Sequence, residues 1–165
     1  MTRTHDLTES LEMYLKTIYL IEQRKRAARV TDIANELGVI ASSVTGALRT
    51  LSKRGLINYA PYDIITLTPE GLEIAQEIMK KYAALRDFFV KVLGIDEDVA
   101  EAEACQMEHR ISEVVFDRLL HFVKYYESCP YEKVHWNEEI GYFCSRDDKE
   151  CNYCVQNVKL TDFLR

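Results

Sequence analysis

The sequence predicts a mostly α-helical fold, and three observations indicate it. Apolar residues recur at intervals of three and four positions through most of the chain, which is the period of an amphipathic helix. Only two short runs, at 56–60 and 64–67, have the composition of β-strands. The 165 residues include 6 Gly and 3 Pro, too few for a loop-dominated or collagen-like protein.

The N-terminal part of the chain, up to Gly38, predicts two helices. The first helix is expected over residues 8–24, with Thr8 as its N-cap. Its apolar face is formed by Leu11, Tyr14, Leu15 and Ile18. A basic connector follows, and Thr31 is expected to cap a short second helix. Gly38 ends that helix, because glycine readily adopts the left-handed conformation found there.

The next segment completes a recognisable arrangement. A further helix opens at Ser42 or Ser43 and closes near Gly55, with Val44, Leu48 and Leu51 on its apolar face. The two strand-like runs follow, and the tight turn at 61–63 joins them into a small hairpin. Two short helices joined by a turn and followed by a hairpin form a winged helix–turn–helix.

The rest of the chain predicts three more helices and a tail. Thr68-Pro69 begins a long helix that Gly94 ends, a further helix covers roughly 97–110, and Ser112 caps the last one. The apolar stripes of the first and last of these helices are Ile78, Tyr82, Leu85, Phe89 and Val92, and Val115, Leu119, Phe122 and Tyr126. We expect domains at 1–73 and 74–127, followed by a Cys-rich tail at 128–165.

The charge and composition exclude several classes of protein. With 47% apolar residues, the chain is too hydrophobic to be disordered. A net charge of −6 excludes a uniformly basic nucleic-acid binder, although residues 1–94 carry +2 and residues 95–165 carry −8. This asymmetry favours a basic working surface followed by an acidic module. The chain shows no membrane span and no signal peptide, so we expect a cytoplasmic protein whose cysteines are reduced.

The third predicted helix has the character of a DNA-recognition helix. Its first turn is small and polar, so its backbone can approach DNA closely, and N–H groups at a helix N-terminus suit phosphate contacts. Arginine and lysine side chains nearby, Arg54 among them, can neutralise phosphates. The predicted DNA-binding residues are Arg29, Thr31, Ala41, Ser42, Ser43, Thr45, Gly46, Arg49 and Lys53. The alternative is a helical hairpin that does not bind DNA.

A cluster of metal-binding residue types follows at helical spacing. Cys105, Glu108 and His109 stand at i, i+3 and i+4, so a helix would place all three on one face. Thiolate, carboxylate and imidazole together suit a borderline divalent transition metal. Met13 points away from the main apolar stripe of its helix, so its thioether could complete such a site or pack against a second surface.

Two other interpretations of this cluster remain open at this point. Cys105 could be a small buried apolar residue beside a surface pair formed by Glu108 and His109. Alternatively, Cys105 could be a nucleophile and His109 its base in a thiol enzyme, although no orienting third group or oxyanion motif accompanies them.

The tail carries four of the five cysteines. Cys129, Cys144, Cys151 and Cys154 have the spacing C-x14-C-x6-C-x2-C. Four thiolates can hold Zn2+ or an iron–sulfur cluster, and we favour zinc because the spacing fits no ferredoxin pattern. The alternative is four reduced thiols in an acidic tail.

Five segments of the chain together resemble one protein family. They are Leu11-Glu-Met-Tyr-Leu-Lys-Thr-Ile-Tyr19, Val30-Thr-Asp-Ile-Ala34, Ser42-Ser-Val-Thr45, Leu67-Thr-Pro-Glu-Gly71 and Glu103-Ala-Cys-Gln-Met-Glu-His-Arg-Ile-Ser112. In order and spacing they resemble the diphtheria toxin repressor family over about residues 7–127. These are metal-dependent transcriptional repressors with iron-responsive and manganese-responsive branches.

The resemblance implies an architecture, a ligand set and partners. It implies a winged helix–turn–helix domain followed by a helical dimerisation domain, working as a homodimer on a double-stranded DNA operator. The family's primary metal site falls on Met13, Cys105, Glu108 and His109. The manganese branch has acidic residues at the first two positions, so the soft pair here implies Fe2+, with Mn2+, Co2+, Ni2+ or Zn2+ as possible substitutes.

The chain also departs from the family pattern. Tyr82, Arg86 and Glu101 stand where the ancillary metal site has other residues, so that site is not expected. Asp63 replaces a wing arginine, and the chain is too short for the SH3-like domain of longer members. We therefore expect a non-enzymatic, metal-dependent repressor, most consistent with iron. The alternatives are a winged-helix regulator that senses redox state through its cysteines and the thiol enzyme.

Overall fold

A computed structural model of the chain describes residues 7–60, 64–128, 134–137 and 141–144. Its helices are α1 (Glu9–Lys25), α2 (Val30–Leu37), α3 (Ala41–Lys53), α4 (Pro69–Asp87), α5 (Glu97–Met107) and α6 (Glu113–Ser128). Its strands are β1 (Ile57–Asn58), β2 (Thr66–Leu67), β3 (Val134–Asn137) and β4 (Gly141–Cys144). A π-helical segment, Phe88–Val92, continues α4. The mostly α-helical fold with a winged helix–turn–helix is confirmed, and no helix in these ranges is long and apolar enough to cross a membrane.

The chain forms two compact units. The first comprises the residues up to Tyr82 together with Glu108–Arg110, and the second comprises Ala83–Met107 and the residues from Ile111 onward. The boundary between the units falls within α4. The domain limits expected at 73/74 and 127/128 stay predictions.

The first unit is built on the three helices of the N-terminal region. α1, α2 and α3 pack against one another around a fully buried apolar core. Its largest fully buried apolar residues are Leu15, Ile18, Ile33, Val44, Leu48, Leu51 and Ile65. The predicted apolar faces of α1 and α3 supply five of these seven, which explains why both segments are amphipathic helices.

The wing is a short antiparallel hairpin. Ile57 pairs with Leu67 and Asn58 with Thr66, and an isolated bridge joins Ala28 to Ile65. The strands are two residues long, shorter than the runs that the sequence predicted. The predicted turn at 61–63, which includes Asp63, lies outside the described residues.

The starts of α2 and α3 differ from the sequence prediction. Arg29, not Thr31, is the N-cap of α2, and its backbone N–H donates to Asp32 Oδ2 at 3.1 Å. Lys25 Nζ lies 2.7 Å from the Asp32 carboxylate and holds the pKa of Asp32 below its usual value. The prediction of Thr31 as the cap was wrong because the Asp32 carboxylate already satisfies the free N–H at this end.

The start of α3 is also earlier than predicted, by one or two residues. Ile40 is its N-cap, and the helix begins at Ala41. Ser42 and Ser43 therefore lie in the first turn of the helix, which begins one or two residues before the predicted start at Ser42 or Ser43. By contrast, the predicted ends at Thr8 and Gly38 are confirmed. Leu11 N–H donates to Thr8 Oγ1 at 3.4 Å, and Gly38 adopts a φ of 63°.

α4 begins at the predicted Thr68-Pro69 pair and depends on a glycine. Thr68 Oγ1 accepts from Gly71 N–H at 3.1 Å and donates to the Gly55 carbonyl at 2.8 Å. A Cβ atom on Gly71 would lie 1.9 Å from the Leu56 carbonyl oxygen. Glycine is therefore required here because backbone packs directly on backbone.

In the second unit, α5 and α6 both pack against the π-helical segment. Phe88 and Phe122 meet edge to face, with their ring centroids 6.2 Å apart. Lys91 Nζ contacts Asp87 and Glu127, which raises the pKa of that lysine. The predicted cap of α6 is confirmed, since Val115 N–H donates to Ser112 Oγ at 3.4 Å.

Two features of this region were not predicted. α5 ends at Met107 rather than at 110, so Glu108 and His109 lie in the turn that follows the helix and not on its face. In the tail, β3 pairs antiparallel with β4, with Val134 opposite Cys144.

Candidate metal centre and nucleic-acid interface

The candidate metal centre lies where the turn 108–110 meets one face of α1. Residues of α1 at spacings of three and four share that face. They are Glu9, Glu12, Met13 and Lys16. Three of them each make an ionic contact with one residue of the turn. The pairs run in opposite chain directions: Glu9 with Arg110, Glu12 with His109 and Lys16 with Glu108. At the exposed end, Arg110 Nε donates to Glu9 Oε1 at 2.5 Å, which lowers the pKa of Glu9.

His109 is oriented by Glu12. Its Nδ1 lies 2.6 Å from Glu12 Oε2, and the imidazole side chain is only 3% exposed. This contact assigns the ring proton to Nδ1, which donates to the carboxylate. In the neutral ring Nε2 then carries a lone pair, and it has no hydrogen-bond partner among the described residues. A carboxylate that holds one ring nitrogen while the other is free is the arrangement that metal-binding histidines use.

The free nitrogen of His109 faces a carboxylate oxygen. Nε2 lies 3.2 Å from Glu108 Oε1, and the Glu108 side chain is fully buried. Two acceptors at this distance repel each other unless a proton or a cation lies near both. Burial raises the pKa of the Glu108 carboxyl, against the opposing effect of Lys16. The donor chemistry of this pair therefore fits a divalent cation, as the sequence indicated.

A lysine already contacts the same carboxylate. Lys16 Nζ donates to Glu108 Oε1 at 2.7 Å and to Oε2 at 2.9 Å, and both residues are buried. The ammonium also lies 4.2 Å from the centroid of the Tyr82 ring, a cation–π contact. An ion pair shielded from water in this way is screened far less than one at the surface.

The structure brings together part of the predicted ligand set. Glu108 and His109 belong to the first unit, and Met13 lies on the α1 face that they meet, with 39% of its surface exposed. Cys105 is half-buried near the end of α5, in the second unit. Within the described part of the chain, no three His, Cys, Asp or Glu side chains are grouped so that they could hold a metal. The four-residue site therefore stays a prediction.

Sequence reasoning missed Glu12 and Lys16. The available signal was their spacing, because Glu9, Glu12, Met13 and Lys16 form a polar stripe beside the apolar face of α1. Their partners could not be identified, since Glu12 and His109 are 97 positions apart and Lys16 and Glu108 are 92 positions apart.

The predicted DNA-binding residues lie in and around α2 and α3. Eight of the nine are exposed, namely Arg29, Thr31, Ala41, Ser42, Ser43, Gly46, Arg49 and Lys53. Thr45 is half-buried, and its hydroxyl donates to the Ala41 carbonyl at 2.9 Å. A Cβ atom on Gly46 would have no neighbour within 4 Å, so this part of α3 is open to close approach. α3 thus buries its apolar face and exposes the face that we assign to DNA.

The remaining predictions concern other parts of the chain. Cys129, Cys151 and Cys154 lie outside the described residues, and Cys144 is described only by its backbone pairing in β4. A zinc ion or iron–sulfur cluster in the tail therefore stays a prediction. Arg86, which stands at a position of the ancillary site, has a guanidinium nitrogen 3.3 Å from Glu97 Oε1.

Comparisons with known proteins identify two domains in the chain. A family model described as the N-terminal DNA-binding domain of iron-dependent repressors matches residues 6–64. A second, described as the metal-binding and dimerisation domain of iron-dependent repressors, matches residues 68–137.

Two curated relatives match most of the chain. An uncharacterised HTH-type transcriptional regulator of Methanocaldococcus jannaschii is 39% identical over 119 residues, which cover 72% of this chain and 95% of the relative. The HTH-type transcriptional regulator MntR of Lysinibacillus sphaericus is 34% identical over 123 residues, covering 74% and 88%.

Two solved structures are similar as well. A manganese-dependent transcriptional repressor in complex with manganese has a TM-score of 0.65 and 25% identity, covering 74% of this chain and 55% of that one. IdeR of T. acidophilum has a TM-score of 0.63 and 25% identity, covering 72% and 55%. The chain thus spans little more than half the length of each solved structure.

Proposed function

The chain belongs to the iron-dependent repressor family of metal-dependent transcriptional repressors, and we propose that Fe(II) is the metal that activates it. Members of this family are repressors and not enzymes, so the thiol-enzyme alternative is wrong. In our proposal the active form is a homodimer bound to a double-stranded DNA operator.

The observation that carries the proposal is the free, buried Nε2 of His109 beside Glu108 Oε1. We propose that these two residues bind the metal together with Met13 and Cys105. Glu12 orients the imidazole and keeps its proton on Nδ1. A bound divalent ion would add to the positive charge that Lys16 already supplies at Glu108 Oε1, and it would also give the free Nε2 of His109 a partner.

Metal binding can be coupled to DNA binding through α1. The turn 108–110 contacts α1, and α1 packs on both α2 and α3. A firmer link between the turn and α1 restricts the positions that α3 can take. A ligand that binds one conformer better shifts the population toward that conformer, here the one that fits the major groove.

We propose that α3 enters the major groove. The exposed small residues of its first turn, Ala41, Ser42 and Ser43, let its backbone approach the DNA. The base edges are then faced by Thr45, Gly46 and Arg49. Thr31 lies near the sugar-phosphate backbone of the DNA. Arg29 and Lys53 neutralise phosphates.

The preference for iron rests on the softness of two ligands. A thioether and a thiolate favour Fe(II) over Mn(II), whereas carboxylates favour Mn(II). The manganese named for one of the similar solved structures argues in the other direction, so the choice requires a direct test.

A double substitution tests this ligand set. In the variant Met13→Asp with Cys105→Glu, we expect Mn(II) to activate DNA binding at a lower concentration than Fe(II), because both soft donors are gone. Fluorescence anisotropy of labelled duplex DNA, titrated anaerobically with each metal, measures the two activation midpoints.

Ser10→Asp is the control for the added charge, since it places a carboxylate on α1 without replacing a proposed ligand. An unchanged order of metal response in the double variant would show that Met13 and Cys105 are not ligands. DNA binding that follows thiol oxidation and ignores both metals would favour the redox-sensing alternative.

A further inference from the structure

We propose that Lys16 competes with the metal for Glu108 and so sets the metal affinity of the sensing site. This inference rests on the proposed function, because it takes Glu108 and His109 to be metal ligands. Lys16 itself cannot bind a cation while its side chain is an ammonium group, since that group has no lone pair.

The competition takes place at a single oxygen atom. Glu108 Oε1 lies 2.7 Å from Lys16 Nζ and 3.2 Å from His109 Nε2. A metal bound to both His109 and Glu108 through this side of the site has to share or take the oxygen that the ammonium already holds. The other oxygen, Oε2, also accepts from Lys16, at 2.9 Å.

The surroundings hold the ammonium in place. Its side chain is 10% exposed, the Glu108 side chain is fully buried, and the Tyr82 ring lies on the ammonium at 4.2 Å from its centroid. Because little water reaches the pair, the positive charge of Lys16 is poorly screened from a second cation at Glu108.

Metal binding therefore has a cost that a neutral residue would remove. If the ammonium leaves, its contacts with Glu108 and Tyr82 are lost. If it stays on one oxygen, it repels the bound dication. In both cases Lys16 raises the metal concentration at which the protein is activated, which protects it from activation at low metal levels.

The test is metal affinity measured without DNA. Isothermal titration calorimetry with Co(II) at pH 8 compares the full-length protein with Lys16→Gln, whose neutral amide can still donate to Glu108. We expect the variant to bind Co(II) about tenfold more tightly or better, because the repulsion is removed. Lys16→Met provides a second neutral variant if the first does not fold.

Two controls separate the charge at this site from charge in general. Lys16→Arg keeps the positive charge and should bind Co(II) with the affinity of the unmodified protein. Lys25→Gln removes a lysine charge from the same helix, where Lys25 pairs with Asp32 at the surface, and should leave the affinity unchanged.

The outcomes distinguish this inference from the proposed function. If Lys16→Gln and Lys16→Met bind Co(II) more tightly and the two controls do not, the role of Lys16 is supported. Equal or weaker binding in folded Lys16→Gln and Lys16→Met, with normal binding by the unmodified protein, overturns the inference and leaves the proposed function standing. If no form binds Co(II), both are wrong.

Discussion

Glu12 decides which nitrogen of His109 faces Glu108. Its carboxylate accepts a hydrogen bond from Nδ1–H, so Nε2 is the ring nitrogen left available to bind a metal. The neighbouring residue Met13 is a proposed ligand, yet the contact made by Glu12 is the one that the structure shows directly. In our proposal, the chemistry of the site thus depends on a residue that orients a ligand and is not a ligand itself.

Replacing Glu12 should weaken metal binding without abolishing it. We expect Glu12→Gln to lower Co(II) affinity about 10- to 100-fold, because the amide holds the imidazole less firmly and less basic. Calorimetry measures the change. Glu9→Gln is the matched control, since it removes only the exposed contact with Arg110. Equal affinities in the two variants would mean that Glu12 does not position His109.

Sequence reasoning succeeded for three helix termini whose contacts are local, although the equally local prediction for Thr31 was wrong. Thr8 and Ser112 cap the starts of helices and Gly38 caps the end of one, each through contacts within a few positions, and all three were predicted. The pairs Glu12–His109 and Lys16–Glu108 depend on the tertiary fold, which no local pattern encodes. A periodic pattern indicated the candidate ligands, but it could not reveal that α5 ends at Met107 and leaves Glu108 and His109 in a turn.

Among the helices, α3 shows which features of a helix the sequence can predict and which it cannot. Its existence, apolar face and C-terminal end follow from the sequence. Its first residue does not, because serines suit the first turn of a helix almost as well as its cap. The same uncertainty of one or two positions affected α2.

α3 also permits a prediction in which stability and function move in opposite directions. Gly46 is exposed in the middle of the helix, with room for a methyl group. Gly46→Ala should raise the free energy of unfolding by about 0.5–1 kcal/mol, because alanine favours the helix. If α3 lies in the major groove, the same change should weaken DNA binding.

Chemical denaturation and fluorescence anisotropy measure the two effects. Gln23→Ala is the control, because it adds an alanine at an exposed helical position of α1, outside the predicted interface. Unchanged DNA affinity in Gly46→Ala would place Gly46 outside the interface.

The second unit carries an exposed apolar surface on α6. On α6, Val115 is 55% exposed, and Val114 and Phe122 are exposed as well. The predicted apolar stripe of α6 is thus only partly covered within one chain. Since this region matches a metal-binding and dimerisation domain, we assign the exposed face to the homodimer.

A charge on this face should separate the dimer. We expect Val115→Asp to sediment as a monomer at micromolar concentration with metal present, while the unmodified protein sediments as a dimer. Lys124→Asp places the same residue on the opposite side of α6 and should remain dimeric. A dimeric Val115→Asp would move the interface away from this face.

The overall architecture was the part that the sequence predicted best, because periodicity, glycines and caps all act within a helix or turn. The β3–β4 hairpin was missed, although β3 alternates apolar and polar residues, because each strand is only four residues long and charged segments flank them. The division of the chain into units, with residues 108–110 joined to the N-terminal one, follows from long-range contacts that the sequence does not display.

The dependence of DNA binding on metal distinguishes a metal-dependent repressor from a regulator that binds its operator without metal. Duplexes are selected from a random pool in Fe(II) and, in parallel, in excess chelator, and anaerobic fluorescence anisotropy then measures their affinity under both conditions. We predict at least about tenfold tighter binding with Fe(II), a coupling typical of an allosteric effector. Equally tight, sequence-specific binding in chelator would contradict a metal-dependent repressor.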